Sequence, residues 1–171
     1  MGSKFMVLGG RVYLQSKIKS DVSIKAKVAV IITNQDGSQE RRELGDNTAC
    51  QAYLNAIASW TAGVNNTGQN PVSPPTQFEL GTGTGTPAVS DASLFTPATG
   101  TLSVISARSA VANTTTLTTN YAVGQLSGMY TEAGLLGAGG ALLNHVVFQT
   151  PVSVDNTQAA TFIWSDTINA G

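Results

Sequence analysis

The chain has 171 residues with 9 basic and 10 acidic side chains, one His and one Cys; only 11% are charged, against roughly 25% in an average soluble domain. So few cations leave no electrostatic footprint for duplex nucleic acid. One Cys makes no internal disulfide, Cys50 with His145 is too small a set for zinc, and no apolar run approaches the ~18 residues of a membrane helix.

The charges are split unevenly. Residues 1–46 hold eight of the nine basic residues and five acids, a net of +3. Residues 47–171 hold Arg108 against Glu79, Asp91, Glu132, Asp155 and Asp166, a net of −4. Thr and Ser together number 36, and 42% of residues are apolar, enough for a core and against wholesale disorder. Such a sparsely charged surface fits either a hydroxyl-covered β-domain or a subunit whose surface is occupied by neighbours.

Residues 1–20 read as an extended arm or edge strand; Gly9, Gly10 and Arg11 interrupt any apolar core that a signal peptide would need. Residues 21–171 read as a single β-rich domain. Its first strong signal is Val22 to Thr33, where Val22, Ile24, Ala26, Val28, Val30 and Ile32 share one parity. Lys25 and Lys27 share the other, the period of two of a strand with one buried face. Asn34-Gln35-Asp36-Gly37 suits a hairpin turn, so 22–44 is expected as a hairpin with a polar return strand. The charges of that return strand discourage edge-to-edge pairing.

Asp46, Asn47 and Thr48 are all acceptable helix N-caps. Ala49, Ala52, Tyr53, Ala56, Ile57 and Trp60 then recur on one helical face, predicting an amphipathic helix over 48–62 ended by Gly63. Residues 63–76 are rich in Gly, Pro and Asn and read as a loop. Short strands are expected at Gln77–Leu80, Thr101–Ser106, Ala110–Thr119, Met129–Leu136, Ala141–Gln149 and Thr161–Asp166, within 77–166. The fold class that follows is mainly β, an antiparallel β-sandwich or jelly-roll-like domain with one amphipathic helix.

Candidate chemistry is thin. Gly81-Thr82-Gly83-Thr84-Gly85-Thr86-Pro87 is Gly-rich, but it lacks a Gly-Lys-Ser/Thr ending and no long helix is expected after it, so a structural turn is favoured over a phosphate cradle. His145, the sole imidazole, fits a wall or interface position better than a general base. Cys50, at a helix start, fits a small buried residue better than a reactive thiolate. The five acids beyond residue 46 show no spacing that predicts pairing. No catalytic, cofactor or metal residues are assigned. The cluster with potential binding meaning is Arg11, Lys17, Lys19, Lys25 and Lys27. The i, i+2 spacing of each lysine pair lines one strand face, either solvated or set against an acidic partner.

Three segments together resemble small β-sandwich structural proteins of tailed-bacteriophage virions, of the capsid cement or decoration type. They are Phe78–Pro87 continuing through Ser90–Leu94; Tyr130-Thr131-Glu132-Ala133-Gly134-Leu135-Leu136; and Leu142–Phe148 followed by Pro151–Val154 and Ala160–Trp164. The resemblance covers roughly residues 77–166. It implies a structural role without enzyme chemistry or cofactor, in the virion and at the capsid surface before the tail. The implied partners are the major capsid protein or other virion proteins and further copies of the chain, with no nucleic acid and no membrane. The alternative is a tail, baseplate or fibre component, with carbohydrate contact through Trp60 or Trp164; a small hydrolase acting through His145 is a remote third.

Overall fold

The computed structural model describes residues 5–8, 11–14, 23–62 and 74–169. In chain order the elements begin with β1 Phe5–Leu8, β2 Arg11–Leu14, β3 Ser23–Thr33, β4 Gln39–Asp46, β5 Thr48–Ala49 and α1 Gln51–Ala62. They continue with β6 Gln77–Gly81, β7 Ser103–Val104, β8 Ala107–Val111, β9 Thr114–Tyr121, β10 Gly128–Leu136, β11 Leu142–Val154 and β12 Ala159–Asn169. Within the expected arm, β1 and β2 pair with each other as an antiparallel hairpin.

Two five-stranded antiparallel sheets form the sandwich, in the orders β4-β3-β12-β9-β8 and β5-β11-β10-β6-β7. The period-two pattern explains why the first sheet buries one face. Ala26, Val28, Val30 and Ile32 of β3 and Ala160, Phe162 and Trp164 of β12 lie in the core, while Lys25 and Lys27 are exposed on the far side. Phe78 of the second sheet meets Phe162 with ring centroids 5.1 Å apart and Trp164 edge-on at 6.3 Å. Each such fully buried large side chain contributes roughly 1.5–3 kcal/mol.

Three departures from the sequence reading have local causes. The helix begins at Gln51, not residue 48, because Thr48 and Ala49 pair with His145 and Asn144 as a short edge strand. Of the predicted caps, Asp46 ends β4, the Asn47 N–H bonds the Ala26 carbonyl and Thr48 lies in β5, and the Cys50 carbonyl accepts the first N–H groups, from Tyr53 and Leu54. The run expected as one strand over 110–119 is a hairpin, β8 and β9, joined by Ala112-Asn113. No Gly or Pro marks that turn; Ala112 itself takes a φ of 52°, a region non-glycine residues adopt at a cost. The strand expected over 141–149 is β11, which runs on through Pro151 to Val154. The β10–β11 register jumps between Tyr130/Val152 and Glu132/Val147, and Pro151 sits in that jump, where a missing N–H breaks no ladder.

A second, smaller core lies outside the second sheet. Cys50, Leu94 and Leu142 cluster there, because residues 82–100 fold back over the outer face of β6, β10 and β11.

Candidate functional site

Of the partner-binding candidates, Arg11 begins β2 opposite Leu8, and Lys17 and Lys19 lie outside the described residues. Lys25 and Lys27 are both exposed on the outer face of β3, in register with Thr167 and Ser165 of β12. Among the described residues neither enters an ion pair. The nearby arginines are engaged: Arg41 with Glu43 at 3.0 Å and Arg42 with Glu40 at 2.6 Å. A shallow groove of about 390 Å³ runs beside Lys27, walled by Arg41, Glu43, Asp46, Gln149 and Ser165 with Ala29 and Ile163 between them. Cations and anions alternate along its rim, so it carries no strong single sign.

The chemically richest place is buried and was missed as a cluster by the sequence. Glu132, on β10, points to the outer face of its sheet and is fully enclosed. Its Oε1 accepts the Gly83 and Thr96 N–H groups at 2.9 and 2.7 Å, and its Oε2 accepts the Phe95 N–H at 3.0 Å. His145 Nε2 lies 2.9 Å from the same Oε2. His145 Nδ1 lies 2.8 Å from Asp91 Oδ2, which also accepts the Ala88 N–H at 2.9 Å. An ionised carboxylate only accepts. Both ring contacts are therefore hydrogen bonds when the imidazole carries two protons, or when one carboxyl keeps one; either distribution leaves a single net negative charge.

This network explains the Gly-Thr repeat. Gly81, Gly83 and Gly85 share the parity that faces Glu132 and Phe95. A Cβ at Gly81 would overlap Glu132 Oε1 and stand 2.6 Å from the Thr96 carbonyl oxygen. One at Gly83 would overlap Phe95 Cβ and stand 2.6 Å from Glu132 Oε1; one at Gly85 would stand 2.7 Å from the Phe95 ring. Thr82, Thr84 and Thr86 alternate outward and are exposed. The loop is a packed lid on a buried carboxylate, and no helix follows it. The Phe95 ring closes the site over His145, with centroids 4.7 Å apart.

Burial raises the Asp91 carboxyl, but the Ala88 N–H and His145 outweigh it and hold the group below its ordinary value. Burial, with Asp91 nearby, pushes the Cys50 thiol up to about 11, which fits a buried packing residue and not a thiolate. The trio of Asp91, Glu132 and His145 is turned inward, each group spent on another. Among the described residues no set of three His, Cys, Asp or Glu is placed to hold a metal ion.

A second buried carboxylate joins the helix to both sheets. Asp166 of β12 accepts from Trp164 Nε1 at 3.0 Å, from the Tyr53 hydroxyl at 3.3 Å and from Asn144 Nδ2 at 3.5 Å. Burial raises it to about 6 despite the hydrogen bonds from Trp164 and Tyr53. Burial likewise pushes Tyr53 up to about 12, with the Asp166 charge adding to it. Trp164 is therefore a core residue and offers no surface for sugar, correcting that expectation; the Trp60 side chain lies outside the described residues. Of the segments that carry the resemblance, 78–94, 130–136 and 142–148 meet around the Glu132 network, whereas 151–154 and 160–164 contribute Val152, Val154, Ala160, Phe162 and Trp164 to the main core. No family profile, curated protein or solved structure matches this chain.

Proposed function

We propose that this chain is a virion structural protein, a capsid cement or decoration subunit that binds and stabilises the shell of a tailed bacteriophage and works as a homo-oligomer. The observation that carries the reading is the outer face of the first sheet. There Lys25 and Lys27, free of ion pairs among the described residues, stand on one strand beside the hydroxyls of Ser165 and Thr167. A face of hydroxyls with two forward cations suits contact with an acidic protein surface, where complementary charge sets register and encounter rate. The buried ionisable groups support a passive role. Asp91, Glu132 and His145 are consumed in fastening a loop to a sheet, and we assign no enzyme chemistry or cofactor to them. On this reading the major capsid protein is the partner, and the location is the capsid surface.

The test combines copy number with charge reversal. Gel densitometry of purified virions should find the chain in hundreds of copies; a handful would move it to the tail, baseplate or fibre. On shells stripped of the protein, Lys25→Glu with Lys27→Glu should lower occupancy and weaken its salt dependence. Undiminished occupancy would overturn the lysine contact, whereas neutralising Lys17 and Lys19 separately reports on the amino-terminal segment.

A further inference from the structure

The first sheet has two edges, and their chemistry is opposite. β4 is guarded: Glu40, Arg41, Arg42 and Glu43 form two cross-linked ion pairs along it, and its register breaks between Val28 and Ala29 of β3. Charges and irregular pairing are how natural sheets prevent strand addition. β8 has neither device over its five residues, Ala107-Arg108-Ser109-Ala110-Val111, which are all exposed and carry one charge.

The backbone of β8 is poised for a partner. Val111 and Thr114 are in register across a two-residue turn, and the residues that flank such a hairpin turn form a pair that exchanges both hydrogen bonds. By the alternation of an antiparallel ladder, Ser109 and Ala107 then also bond inward to β9. Arg108 and Ala110 aim their N–H and C=O groups away from the sheet. Apolar side chains flank this row. Val111 is 74% exposed, and Leu102 and Val104, just before β8 along the same side of the sandwich, are 50% and 67% exposed.

We infer that β8 is the interface through which a second copy of this chain adds, antiparallel, to make one continuous sheet across a two-fold axis at Ser109. The strand is complementary to itself in that register. Arg108 of one copy exchanges both backbone hydrogen bonds with Ala110 of the other, in both directions. On the outer face Ala107 of one copy meets Val111 of the other, a small residue against a larger one, and Ser109 meets Ser109. No like charges stand directly opposite; the two Arg108 side chains are diagonal neighbours about 7–8 Å apart. A two-fold contact uses the same patch on both subunits and closes, so pairing ends at the dimer, while the guarded β4 edge prevents a ribbon. The inference specifies the homo-oligomer of the virion reading and rests on that reading for the second copy alone.

Light scattering on the full chain after size-exclusion chromatography, at tens of micromolar, should give the mass of a dimer. Ala110→Pro removes one outward N–H and leaves the β8–β9 pairing intact, so it should give a monomer with unchanged circular dichroism. Ser109→Cys should form a disulfide-linked dimer under mild oxidation, since non-hydrogen-bonded antiparallel neighbours bring Cβ atoms about 4.5–5.5 Å apart. Ser38→Cys, in the exposed turn before β4, should not, and the native Cys50 is buried. A wild-type monomer, or a dimer that Ser109→Cys fails to cross-link, overturns the inference, and the cross-link decides the matter even where Ala110→Pro does not fold. A β8-linked dimer that binds no shell would retain this interface and overturn the capsid role; shell binding by a monomer would do the reverse.

Discussion

Among the described residues two carboxylates are buried, and they are compensated in different ways. Glu132 sits among three backbone N–H groups and an imidazole that itself leans on Asp91. Asp166 sits among neutral side-chain donors, an indole, a phenol and an amide. The first arrangement supplies fixed dipoles and a proton-bearing partner for the charge; the second leaves most of the desolvation penalty standing. The difference teaches that the Glu132 site is built from fixed backbone donors and fastens a loop, whereas the Asp166 site favours a proton and couples stability to pH. The tight carboxylate pays for order in residues 82–96; the looser one joins α1 to both sheets.

The largest expected effect breaks the first site. Glu132→Ala strands the buried Gly83 N–H and the part-buried Phe95 and Thr96 N–H groups and leaves His145 facing a void, which should cost about 3–5 kcal/mol in urea unfolding. A loss within the scatter of surface substitutions would show the network to be incidental. The comparison sharpens through pH at the second site. Asp166 holds its proton more tightly folded than unfolded, so its contribution is full below about 3.8 and is lost as pH climbs through about 6. Asp91 has the opposite sign: its folded value is depressed, so its contribution is present at neutral pH and lost on acidification. The stability difference between wild type and Asp166→Asn should therefore shift against wild type by on the order of 2–3 kcal/mol between pH 4 and pH 6. A difference that stays constant across that window would remove the coupling. The smallest effect tests the lid: Gly83→Ala forces a Cβ against Phe95 and Glu132 and should cost about 1–3 kcal/mol. Thr82→Ala, one residue away and exposed, should stay within about 0.5 kcal/mol.

Much of the framework was legible because strands and the helix announce themselves over short distances. The alternation of Ala26, Val28, Val30 and Ile32 with Lys25 and Lys27 placed a half-buried strand and its exposed lysines correctly. The i, i+3, i+4 pattern after Ala49 placed the helix to within three residues at its start. The hairpin hidden in 110–119 was not legible, because Ala112 adopts a left-handed turn that its residue type does not signal. The polar cluster was not legible either. His145 looked like a wall residue and Glu132 like one of five scattered acids. The alternate glycines before Pro87, each too close to something to bear a Cβ, were the one trace of it.

What the sequence determined by itself was local: a sparsely charged, hydroxyl-rich β-domain with eight of the chain's nine basic residues in the first 46, since side-chain period and turn chemistry act within a few neighbours. The tertiary structure decided which charges are buried and which edge is open. Asp91 and His145 are 54 residues apart and meet only because β10, β11 and the returning loop are stacked. β8 became the unguarded edge only because the sheet order put it last. Desolvation and strand order are properties of the packed chain, and no spacing along the sequence encodes either.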